Sequence, residues 1–149
     1  MTATNRETGR DALVTLLSAA LVGTGKPAQA VYGYLKGDLN SESPVVIVAS
    51  AGTGIEKRAV TSRVKNNFYF TIHSFTLYAI EGTTWGEDDT EDRTDLLEQT
   101  IRDTLKSNVS TANWAFIEID GRSTIDSVII SGEEYRHEAI PIRMEKYDD

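Results

Sequence analysis

The residues able to do chemistry in this chain are few and scattered. His73 and His137 are its two histidines. His137-Glu138 resembles the start of the zinc-protease helix motif but lacks a second histidine four residues on. In an extended segment the two side chains point to opposite faces, so they diverge as ligands and read as ordinary surface residues. His73 lies in an apolar strand and reads as a hydrogen-bonded core or interface histidine. Gly52-Thr-Gly54 and Gly23-Thr-Gly25-Lys26 miss the phosphate-loop spacing and read as glycine turns. Glu87, Asp88, Asp89, Glu91, Asp92 and Asp95 could attract a divalent cation. They lack the ligand order of an EF-hand, and a solvated loop near a helix N-terminus fits better. Ser18, Ser74 and Ser127 have no nucleophile-elbow context. Asn108-Val-Ser110 matches a glycan triplet but has no secretion signal behind it. The chain contains no cysteine, which removes disulfide frameworks, zinc ribbons and thiol catalysis. No residue is therefore assigned a catalytic, cofactor-binding or metal-binding role, and no cofactor is expected.

The elements that would position any site follow from periodicity. Thr4-Asn-Arg-Glu7 has the form of a capping box. Ala12, Leu13, Leu16, Leu17, Ala20 and Leu21 then repeat at helical spacing, and Gly23, Gly25 and Pro27 stop the run. A helix over about 5–22 is expected, weakened in its first turn by Gly9. Two short β-type runs follow at 30–35 and 44–50, separated by the turn formers of 36–43. Residues 51–66, glycine-bearing and then basic, read as an exposed loop or arm. From Phe68 to Ile80 both alternating rows are apolar: Phe68, Phe70, Ile72 and Tyr78 on one face, Phe75, Leu77 and Ala79 on the other. This suits a central strand covered on both sides, for example by a helix and by a neighbouring chain. An acidic loop, 81–92, leads to a second helix over about 93–107. Asp92 or Thr94 is its expected cap, and Leu96, Leu97, Ile101 and Leu105 form its apolar stripe. Strands are expected at 114–119, 125–130 and 134–147. The order predicts one α+β domain over 1–149: a mainly antiparallel sheet packed against two α-helices, with an exposed loop or arm.

The last strand, "EYRHEAIPIRMEKY", puts Ile140, Ile142 and Met144 on one face and Arg143 and Glu145 on the other. Pro141 cannot donate to a ladder, which predicts a sheet edge or an end of pairing there. Fifteen basic against 23 acidic residues give a net charge of −8, which favours solubility and disfavours general nucleic-acid or anionic-membrane binding. The longest apolar run, Val45–Ala49, is too short to span a bilayer, and the N-terminus lacks a signal-peptide pattern.

The element order, the helix "DLLEQTIRDTLKSN", the Trp-containing strand and the ending "GEEYRHEAIPIRMEKY" together resemble the tail terminator proteins of long-tailed bacteriophages, the lambda minor tail protein U type. The resemblance spans nearly the whole chain and rests on layout, not on a chemical motif. It implies a structural virion protein at the tail–neck junction, present in the host cytoplasm during assembly. Such proteins form a homo-hexameric ring that caps the tail tube, ends its polymerisation and meets the head connector or stopper. Genomic DNA passes through the lumen without specific binding, and no membrane is involved. An acidic lumen would let DNA slide. Opposite charges meeting head-to-tail across the ring make Lys57, Arg58, Arg63, Lys65, Asp88, Asp89 and Arg143 the candidate assembly contacts. Another neck protein (head-closure or tail-completion) is the nearest alternative. A small α+β enzyme or ligand-binding domain is the alternative of a different class.

Overall fold

The computed structural model describes residues 2–57, 63–80 and 82–148. In chain order the elements are α1 (Arg6–Leu21), β1 (Ala30–Tyr32), β2 (Val45–Lys57), β3 (Val64–Leu77), α2 (Glu87–Ser107), β4 (Phe116–Ile119), β5 (Thr124–Ile130) and β6 (Glu133–Tyr147). The strands form one sheet in the order β1-β2-β3-β6-β4, with β5 also paired to β6. Every pairing is antiparallel except β1 with β2. The fold is α+β, as the periodicities indicate.

Both helices lie on one face of the sheet. Leu13, Leu17 and Leu21 of α1 and Leu97, Ile101 and Leu105 of α2 bury against the β3 row Phe68, Phe70, Ile72 and the β6 row Ile140, Ile142, Met144. Full burial of each such side chain contributes about 1.5–3 kcal/mol. Leu96, placed in the same stripe by its spacing, instead stands 44% exposed. Gly9 has a packing role that helix propensity hides. A Cβ there would come within 2.9 Å of Met144 Sδ, so glycine lets α1 sit directly on β6. The α1 cap is Asn5, whose side chain accepts from Glu7 N at 2.7 Å. Thr4 N instead donates to Asp148 Oδ1, at the other end of the chain.

The opposite face has its own apolar cluster at one end, where Phe75, Leu77 and Tyr135 meet Val45, Ile47 and Leu39. Leu39 belongs to the segment between β1 and β2, so at this end the chain covers its own sheet and no neighbouring molecule is needed.

Three features depart most from expectation. Residues 51–57 and 64–66 are not a loop: they extend β2 and β3 into a long hairpin paired as far as Lys57↔Val64. Residues 58–62 lie outside the described residues. Side chains from α1 hold the hairpin root, Arg6 to Thr53 Oγ1 at 3.0 Å and Arg10 to Ser50 Oγ at 2.9 Å. Second, α2 starts at Glu87, six residues earlier than periodicity suggests. Its N-cap is Gly86, whose N–H donates to Asp89 Oδ2 at 2.7 Å, so Asp88 and Asp89 occupy the first turn of a helix and not a loop. Carboxylates there oppose the positive helix end.

Third, β6 is central, not an edge. It pairs with β3 along its length and with β5 and β4 in turn on its other side. The N–H and C=O of one strand residue point to the same side, and Pro141 C=O accepts from Asp120 N at 2.8 Å. The missing N–H of Pro141 therefore faces away from β3. It falls where β5 has ended, at Thr124↔Ala139, and just before β4 takes over, at Ile119↔Ile142.

Candidate functional site

The helix-free face of the sheet gathers the polar chemistry. Alternation puts His73 in the same row as Phe75, and the register Phe75↔His137 and His73↔Ala139 makes the histidines diagonal neighbours across β3 and β6. Their rings lie 5.1 Å apart, with His73 Nδ1 2.8 Å from His137 Nε2. Asp126 of β5, directly opposite His137, brings Oδ1 to 2.7 Å from its Nδ1. One set of neutral tautomers satisfies the whole chain: His137 donates Nδ1–H to the carboxylate and accepts Nδ1–H of His73. The Nε2 lone pair of His73 is then the open end. Burial, with the neighbouring His137 as a lesser cause, lowers the His73 pKa. Phe75 stacks on His137 at 4.7 Å and fixes the ring plane.

Further along the same face, a charged network ties four strands toward the described end of the hairpin. Arg143 of β6 donates to Glu118 of β4 through Nε at 3.0 Å and Nη2 at 2.7 Å. Its Nη1 reaches Glu145 at 2.6 Å and Asn67 of β3 at 3.1 Å. Lys65 bridges Glu56 of β2 at 2.9 Å and Glu145 at 3.3 Å. These bonds raise the Arg143 pKa and hold the Glu145 carboxyl below its ordinary range, Arg143 being the first cause for Glu145.

The candidate assembly contacts divide accordingly. Arg143 and Lys65 are partly buried and internally paired, so their first role is to hold the hairpin to the sheet. Lys57 is exposed at the end of β2. Arg63, also exposed, lies over the Tyr147 ring at 5.3 Å. Arg58 lies outside the described residues. Asp88 is exposed and Asp89 half-buried at the start of α2. Thr90 Oγ1 there bonds Leu77 O, the last residue of β3, at 2.7 Å. The basic end of the hairpin and this acidic turn thus sit at opposite ends of β3, which for fourteen residues spans roughly 43 Å.

Glu138, read as a surface residue, is instead buried under α2 and only 3% exposed. Ser123 Oγ donates to its Oε2 at 2.7 Å, and burial raises its pKa. A groove of about 290 Å³ opens between the end of α2 and β4, lined by Leu105, Val109, Phe116, Ile117 and Ile119. Among the described residues no group of three or more metal-binding side chains is assembled. No helix there is long and apolar enough to cross a membrane.

Sequence reasoning missed the Asp126–His137–His73 chain. Alternation identifies the row each residue occupies, but strand adjacency brings the rows together. No protein-family model matches the chain, and no curated protein sequence is similar to it.

Proposed function

We propose that the protein is a structural virion component of a long-tailed bacteriophage, a tail terminator that closes the tail tube as a homo-hexameric ring. The observation that carries this reading is the separation of charge along the domain. The described part of a long hairpin reaches the exposed Lys57 and Arg63 at one end of the sheet, and the acidic first turn of α2 stands at the other. Copies related by rotation about a ring axis meet through two different surfaces, and opposite charges on those surfaces set their order. The tail tube protein and the head-connector or stopper protein are the proposed neighbours above and below, with DNA passing through an acidic lumen.

The test is assembly in the presence of tail tubes, viewed by electron microscopy. Wild-type protein is expected to form six-membered rings on tube ends. Lys57→Glu with Arg63→Glu is expected to leave the monomer folded and the tubes uncapped and overlong. Normal rings from that double variant would sink the charge-ordering argument.

The Asp126–His137–His73 chain supports one different reading, a small enzyme in which His73 Nε2 accepts a proton from substrate. His73→Gln discriminates between the two. It abolishes turnover in an enzyme and leaves ring formation intact in a terminator.

A further inference from the structure

β5 is a free edge, and its sequence is self-complementary. It pairs with β6 on one side through a two-residue turn at Ser131-Gly132, both at positive φ. Backbone direction along β6 fixes which β5 groups face outward. Glu134 C=O accepts from Tyr78 N just past β3, so even-numbered β6 residues face β3 and odd-numbered ones face β5. The hydrogen-bonded pairs are then Thr124↔Ala139, Asp126↔His137, Val128↔Tyr135 and Ile130↔Glu133. The N–H and C=O groups of Ile125, Ser127 and Ile129 point away from the sheet, and no strand lies against them among the described residues. The flanking side chains Ile125 and Ile129 are 43% and 75% exposed.

We propose that this edge is a docking site for the same edge of a second copy of the chain, antiparallel about a two-fold axis through Ser127. The two-fold places Ser127 opposite Ser127 and Ile125 opposite Ile129 of the other copy. All of the outward backbone groups then pair, and the exposed isoleucines cover one another on one face. On the other face Asp126 meets Val128, so no like charges stand directly opposite. The two Asp126 carboxylates are diagonal, and each already holds a His137. The seven residues of β5 include no proline or lysine, the residues that commonly protect an edge from pairing. A strand from an unrelated protein would find the hydrogen-bond row but not this matched side-chain order. The proposal is independent of the ring reading, because a two-fold contact uses the same patch twice and a ring contact uses two different ones.

The experiment is sedimentation equilibrium of the full chain, paired with site-directed crosslinking. Wild type is expected to dimerise with rising concentration. Ser127→Pro, which removes the N–H at the axis, is expected to raise the dissociation constant at least about tenfold. Should that variant misfold, Ile125→Lys with Ile129→Lys takes its place with the same expected loss. Ser127→Cys, in a chain otherwise without cysteine, is expected to give a covalent dimer with a short bis-maleimide, while Ser110→Cys in the loop after α2 does not. A chain that stays monomeric at high concentration, or self-association that survives the edge variants with no Ser127→Cys crosslink, overturns the proposal. The edge would then belong to another partner or to a ring neighbour.

Discussion

His73, half-buried, and Glu138, buried, lie on opposite faces of one sheet and give stability opposite pH dependences. Folding lowers the His73 pKa from its ordinary 6.5, so the unfolded chain binds that proton more tightly. The His73 contribution is whole above the ordinary value and is lost as pH falls from there through the folded value. Folding raises the Glu138 pKa from 4.5, so its contribution is whole below that value and is lost as pH rises through the folded one. Urea titrations across the range from about pH 4 to 8 check both. His73→Gln is expected to reduce the loss on the acid side, and Glu138→Gln the loss on the neutral side. Unchanged pH profiles in both variants would mean that neither group changes its proton affinity on folding.

At the level of elements, the helices and the hairpin are held by different forces. Leu17→Ala and Ile101→Ala each remove a fully buried side chain. A cost of about 2–5 kcal/mol is expected for each. Leu96→Ala and Asp88→Ala, at exposed positions, are expected to stay within about 0.5 kcal/mol. Equal effects from the two sets in denaturant unfolding would mean the packed face of each helix is misassigned. Gly9→Val should also destabilise, by about 1–3 kcal/mol, because its side chain enters space held by Met144. The hairpin depends instead on the charged network along its outer half. Arg143→Ala leaves Glu118 and Glu145 without their shared cation. Faster amide exchange is expected over 52–57 and 64–67, with little change in α1. Exchange that is uniform or unchanged would show that the network does not govern the hairpin.

For the whole molecule, the chain carries a net charge of −8, and the exposed Lys57 and Arg63 stand at the described end of the hairpin. Ring assembly driven by opposite charges on exposed surfaces weakens with salt, since the screening length falls from about 10 Å at 0.1 M to about 3 Å at 1 M. If the proposed ring forms, its yield on tail tubes, counted by electron microscopy, is therefore expected to fall over that range. The proposed β5-mediated dimer, which would form by backbone pairing and isoleucine contact, is expected to change little. Equal salt dependence of both would remove the charge argument from the ring.

The sequence by itself determined the α+β class, both helices and the two-sided character of β3, because each follows from the local periodicity of apolar residues. It also marked Pro141 as a break in pairing, since a missing N–H is a property of the residue alone. Where that break falls was decided only by tertiary structure. Pro141 looks toward the gap between β5 and β4, so β6 can be central and β5 is the bare edge. The start of α2 was hidden because an acidic, polar first turn carries no apolar period, and its packing rests on Thr90 and Thr94. The hairpin was hidden for a related reason: glycine and charge within 51–66 read as loop, while α1 and the Arg143 network supply what strand propensity lacks. Long-range register likewise brought Asp126, His137 and His73 into one chain of hydrogen bonds. Contact between residues so far apart in sequence depends on which strands become neighbours, and no local pattern contains that information.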